Sequence, residues 1–110
     1  MAAMSDIQAV VDRIAEAFDP ERIVLFGSHA RGTATSDSDV DLLVVLPFEG
    51  KPFWKSLEIT NHVDPAFPVD LLARRPDDTQ RRYAQGDPLI REALDQGRVL
   101  YERSRARVDR

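Results

Sequence analysis

The sequence has no cysteine, only two histidines, one tryptophan and two tyrosines. With no cysteine there is no disulfide, no thiolate zinc site and no cysteine nucleophile, and His29 and His62 alone argue against a histidine-rich metal centre. Any metal bound here is expected to be held by oxygen. No apolar run approaches the roughly 18 residues that a bilayer span requires. The opening MAAMSDIQAVVDRI has neither the basic flank nor the apolar block of a signal peptide, so a cytoplasmic protein is expected. Positive charge is also in short supply: the net charge is −4, which argues against a chain that coats nucleic acid. There is no internal repeat and no long linker. At 110 residues and 43% hydrophobic content the chain reads as one domain, 1–110, with a modest core and a polar, frayed tail over 103–110.

The charge that is present is unevenly spread. Residues 1–73 carry 5 basic and 12 acidic side chains, net −7, whereas residues 74–110 carry 10 basic and 7 acidic, net +3. An acidic site facing an arginine-bearing C-terminal third is one reading, and a pair of solvated helix faces is the other.

Periodicity divides the chain into alternating elements. Ser5 and Gln8 read as a capping box opening a helix whose apolar positions are Ile7, Val10, Val11, Ile14 and Phe18. RIVLF at 22–26 reads as a buried strand broken by Gly27-Ser28, and 29–36 as a turn or single helical turn. Val40 to Leu46 forms a second strand, which the short connection places beside the first. Residues 52–62 read as a helix with Pro52 at its first position and Phe53, Trp54 and Leu57 turned inward. FPVDLL at 67–72 is a third strand, marked as an edge strand by its flanking prolines. Asp77-Asp78 starts a further helix toward Tyr83, Pro88 opens a last one through Leu94, and Gly97 closes it before VLYE at 99–102.

Chemistry concentrates in FGSHARGTATSDSDVDL, residues 26–42. Residues two apart in a strand share a face, so Asp39 and Asp41 project together. Two carboxylates held that close repel unless one is protonated or a cation lies between them. Hard oxygen ligands suit Mg²⁺ or Mn²⁺ carrying a phosphate ligand. Asp70, between Val69 and Leu71, is a third acid in an apolar neighbourhood, and three acids from two strands can serve two metals. Gly27 lets backbone approach a phosphate closely, Ser28 can donate to its oxygens, and Arg31 can add charge-assisted bonds. Taken singly, Gly-Ser and Asp-x-Asp are ordinary turn and cap sequences. Their combination is much more specific.

Gly27-Ser28-x-x-Arg31-Gly32 followed by Ser38-Asp39-x-Asp41-Leu42, with Val69-Asp70-Leu71 downstream, resembles the nucleotidyltransferase superfamily typified by DNA polymerase beta. The short chain and the closing GRVLYE at 97–102 are similar to its minimal branch, the MNT proteins. The resemblance implies an α+β fold, a small mixed sheet flanked by helices. It implies transfer of a nucleoside monophosphate, AMP from ATP, to a hydroxyl with loss of pyrophosphate. Gly27, Ser28 and Arg31 would then hold the triphosphate. Asp39 and Asp41 would ligate two Mg²⁺ ions, with Mn²⁺ as an alternative, and Asp70 would ligate the catalytic ion and assist deprotonation of the acceptor. MNT proteins are paired with a HEPN-domain toxin, so the implied acceptor is a partner tyrosine and the implied role that of antitoxin.

Other candidates take plainer readings. His29 is expected as a solvent-facing turn residue, Asp37 as a turn residue, and Tyr101 as core packing. Arg74, Arg75, Arg81 and Arg82 are expected on solvated helix flanks. Two alternatives to catalysis on a protein stay open: an antitoxin that neutralises by covering its partner, and transfer to a small molecule or an RNA end, of which the acidic balance makes RNA the weaker.

Overall fold

A computed structural model describes residues 2–103 of the protein. Among them are five helices and four strands: α1 Met4–Phe18, β1 Arg22–Phe26, α2 Ser28–Arg31, β2 Val40–Val45, α3 Pro52–Val63, β3 Val69–Arg74, α4 Pro76–Ala84, α5 Pro88–Gln96 and β4 Arg98–Glu102. The strands form one mixed sheet in the order β3-β2-β1-β4. β1 is antiparallel to both β2 and β4, while β3 joins β2 in parallel, as expected for strands connected through a helix. This is the mixed α/β architecture anticipated, with β1 and β2 adjacent and β3 at an edge.

Alternation along the strands sends side chains into two cores. One face carries Ile23, Leu25, Val40, Leu42, Val44, Leu71 and Ala73 against α1 and against Ile59 and Val63 of α3. The other carries Val24, Phe26, Leu43 and Val45 against Ile90 and Ala93 of α5. Each fully buried Ile or Leu contributes about 1.5–3 kcal/mol, so these central strands, buried on both faces, dominate the stability. Asp41 lies between Val40 and Leu42 and therefore belongs to the second face, at the start of β2.

Several boundaries differ from the sequence reading. α1 starts at Met4 with Ala3 as its cap, and the cap N–H donates to Asp6 at 3.3 Å, so Ser5 and Gln8 form no capping box. β3 begins at Val69 and runs on to Arg74, because Pro68 has no N–H for the ladder and offers only its carbonyl, to Val40 N–H at 3.0 Å. α4 starts at Pro76, one residue before the two aspartates.

The clearest correction is in α3. Phe53, Trp54 and Leu57 point outward, 66%, 62% and 41% exposed, and the helix is anchored by Ile59 and Val63 instead. Its inner face also meets the sheet edge: Ser56 Oγ accepts a 2.9 Å bond from the Ala73 N–H of β3 while donating to Pro52 O at 2.7 Å. Arg103, placed by sequence in the frayed tail, is held by its N–H to Glu21 O at 2.9 Å and by its guanidinium to Asp19. The rest of that tail, 104–110, lies outside the described residues. Among the described residues no helix is long and apolar enough to cross a membrane.

Candidate functional site

The site is built at the junction of β1, α2 and β2. β1 ends at Phe26, whose register partner on β2 is Asp41, so the next residue, Gly27, turns directly beside the Asp41 carboxylate. Gly27 has φ 73° and ψ −156°, a combination essentially closed to residues with a side chain. A Cβ there would press into Asp41 Oδ2. Position 27 is therefore glycine for two independent reasons, backbone conformation and space. The α2 turn follows at once, and the Gly27 carbonyl accepts from Ala30 and Arg31 N–H, both at 3.1 Å. The N–H groups of Ser28 and His29 fall in the first turn, where intrahelical acceptors are lacking and an oxyanion is the natural partner.

The acids arrive from the next two strands. In the parallel β2–β3 ladder Asp41 is the register partner of Asp70, and both project to the α5 side of the sheet. Asp39 immediately precedes β2 on an exposed segment. Its backbone is shaped by a small hydroxyl turn in which Ser38 Oγ accepts from Thr35 N–H at 2.9 Å. The Asp41 carboxyl is pushed above the usual carboxylate range, first by burial and then by the charges of Asp70, Asp39 and Glu92, with His29 pulling it back. Asp70 is exposed on the edge strand, so the expected apolar surroundings do not hold for it.

The donor set is all oxygen and shares a repulsion that a divalent cation would relieve, which is the chemistry Mg²⁺ or Mn²⁺ requires. The fit is electrostatic and not yet geometric: among the described residues no three His, Cys, Asp or Glu side chains are grouped closely enough to hold an ion. The order across the sheet is informative. Gly27 and Ser28 lie at the end of β1, Asp39 and Asp41 at the start of β2, and Asp70 on β3, so the glycine turn and the third acid flank the central pair.

Three features were not anticipated. His29 is partly buried, with Nδ1 3.1 Å from the Asp39 carbonyl and Nε2 buried without a partner, so it braces the Asp39 backbone and does not simply face solvent. Glu92 of α5 is a fourth acid close enough to disturb Asp41, and nothing in its sequence context singles it out. Arg31, expected on phosphate, donates to Glu92 at 2.5 Å. The other arginines are likewise engaged: Arg75 with the Phe48 carbonyl at 2.9 Å and the Phe48 ring, and Arg81 and Arg82 with Asp78.

Two cavities bear on the reading. A groove of about 440 Å³ runs between α3 and β3 and is bordered by Asp70. A larger one, about 680 Å³, opens at the opposite end of the sheet near Arg22, Val45 and Tyr83, and none of Asp39, Asp41 and Asp70 lines it. Of the three carboxylates only Asp70 borders either cavity.

Comparison with known proteins agrees with this geometry. No curated protein matches the chain. A solved Sulfolobus solfataricus structure assigned as a nucleotidyltransferase superposes with a TM-score of 0.64 at 20% identity, over 90% of this chain and 79% of that one. A toxin–antitoxin with AMP-PNP superposes at 0.57 and a mutant of the toxin–antitoxin MntA-HpeT at 0.56, each at 19% identity over 90% of this chain and 76% of the other. At such identities these likenesses speak for the fold. The family model described as nucleotidyltransferase domain matches residues 7–100, a span that takes in the glycine turn, all three aspartates, strands β1 to β3 and the start of β4, and the chain belongs to that family.

Proposed function

We propose that the protein transfers AMP from ATP to the tyrosine hydroxyl of a HEPN-domain partner and acts in that way as an antitoxin. The observation that carries the reading is the placement of Gly27 against Asp41, with Asp70 in register with Asp41 on the next strand, which supports a phosphate corner beside neighbouring acids. The choice of an adenine nucleotide and of a toxin partner is supported by fold likeness to toxin–antitoxin structures, one of them with AMP-PNP.

In this reading Gly27 and the N–H groups of Ser28 and His29 hold the triphosphate, with the Ser28 hydroxyl adding a donor. Asp39, Asp41 and Asp70 hold two Mg²⁺ ions, which when bound neutralise phosphate charge and favour the ionised acceptor. The acceptor oxygen forms a bond to the α-phosphorus as the bond to pyrophosphate breaks, and the hydroxyl proton passes to Asp70. His29 keeps Asp39 in place through the 3.1 Å contact to its carbonyl. The negative charge of the acids disfavours phosphate here, and a bound divalent cation would offset it.

The test is transfer of label from α-³²P-ATP with Mg²⁺ to the product of the adjoining open reading frame. Label on the partner that vanishes in Asp39→Ala supports the proposal. Neutralisation of the partner that survives Asp39→Ala with Asp41→Ala, with no label transferred, would assign the protein as a binding antitoxin instead.

A further inference from the structure

The transferred phosphorus must lie between leaving and attacking oxygens in an in-line displacement. With the triphosphate at Gly27 and Ser28 beside β1, the leaving side faces β1 and the attacking side faces β3. Beyond Asp70 on that side lies the groove between α3 and β3, bordered by Phe53, Leu57, Asp70 and Leu72. Above its rim Phe53 and Trp54 meet edge to face at 4.9 Å, both largely exposed. Phe53, Trp54 and Leu57 thus put three large apolar side chains in solvent on one helix.

Most hydroxyl and arginine groups of this groove already make a hydrogen bond within the chain. Ser56 Oγ and Thr60 Oγ1 donate to backbone carbonyls at 2.7 and 2.8 Å, and Arg74 Nη1 to the Ala73 carbonyl at 2.9 Å. Arg82 is held by Asp78 at 3.0 Å and by Asp87 at 3.3 Å. A sugar or other polar small molecule would find few spare donors, and an RNA end a single lining cation, Arg74, that no acid pairs among the described residues, where phosphate binding takes several. What remains is chiefly apolar surface, with that one guanidinium, leading to one carboxylate.

We infer that the α3–β3 groove, with the Phe53, Trp54 and Leu57 face, docks a polypeptide segment of the acceptor protein, whose apolar side chains seat on α3 and present its hydroxyl at Asp70. The inference rests on the transferase reading for the direction of approach. The groove's continuity with Asp70 selects a segment that brings the reacting group with it, over a partner that merely covers the surface.

Trp54 is the only tryptophan, so its emission reports this face directly. Peptides are selected from a displayed random library on the full-length protein saturated with Mg²⁺ and AMP-PNP, with the Phe53→Ser/Leu57→Ser protein as counter-selection. The expected peptides carry apolar anchors, shift Trp54 emission to the blue and bind the Leu57→Ser protein at least tenfold more weakly. Failure to select such peptides, or equal binding to Leu57→Ser, would falsify the inference. A blue shift produced by Mg²⁺–AMP-PNP alone would place the nucleobase there and overturn it. So would a shift that grows with protein concentration and tracks a dimer in sedimentation, which would place a second copy there. Failure of ATP label transfer with peptide binding intact would remove the transferase reading and leave the docking surface standing.

Discussion

Asp41 and Asp70 stand as register partners across the parallel ladder between β2 and β3, one partly buried and one exposed. Their repulsion is built into the backbone: neither strand can relieve it without a shift of register that would turn Leu71 and Ala73 out of the core. The folded chain thus maintains a local concentration of negative charge at the sheet's end, and the predictions below exploit it.

Burial and like charges raise the Asp41 carboxyl, so on acidification the folded state takes up this proton before the unfolded chain does. A raised carboxyl pKa is a penalty at neutral pH that is relieved as pH falls through the folded value. Asp41→Asn is therefore expected to raise the melting temperature by a few degrees at pH 7 in metal-free buffer. The gain should shrink toward pH 4. Equal melting temperatures at pH 7 would show that the acids do not strain the fold.

Mg²⁺ should act as a stabilising ligand. At about 100 times its dissociation constant it adds about 2.7 kcal/mol to the native state by mass action. Thermal melts with and without EDTA should show the increment in the native chain and its loss in Asp39→Asn and Asp41→Asn, while Ca²⁺ and Mn²⁺ titrations rank the ions. A metal increment unchanged in both variants would move the cation elsewhere.

Gly27→Ala should cost about 1–3 kcal/mol from backbone strain and abolish nucleotide binding by displacing the Asp41 carboxylate. Gly97→Ala is the matched control. A Cβ there would meet the Ala93 carbonyl and Val24, so stability falls, yet calorimetric nucleotide binding per folded molecule should stay as in the native chain.

The Arg31–Glu92 pair is roughly half exposed and is expected to be worth no more than about 1 kcal/mol. Its removal should register in ligand binding before stability. Glu92→Gln frees the Arg31 guanidinium and removes a charge that disturbs Asp41, so ATP should bind several-fold more tightly; Arg31→Ala should weaken it several-fold. Both effects should fade in high salt. Unchanged affinity in both variants would mean that Arg31 only ties α2 to α5.

Much of the site was legible because its signals are local. The glycine after β1, the Asp-x-Asp pair and an aspartate inside a short strand are short-range patterns; Asp41 and Asp70 do fall on strands, while Asp39 lies just before β2. Helix 52–63 was identified with the wrong face inward: Phe53 and Trp54 are large and apolar, but Ile59 and Val63, one turn apart near its end, reach the sheet. Size suggested burial, whereas the position of β3 decided it. Glu92 and the partner of Arg31 were invisible because they depend on how α5 crosses the sheet, 61 residues away in the chain.

The bond from Ala73 N–H to Ser56 Oγ has a mechanical consequence. β3 is gripped on one side by the ladder to β2 and on the other by a hydroxyl of α3, so it cannot slide along its own axis without releasing both. The edge of the sheet is thereby sealed by a pin, and that pin, three residues from Asp70, indexes the position of the acid against Asp41.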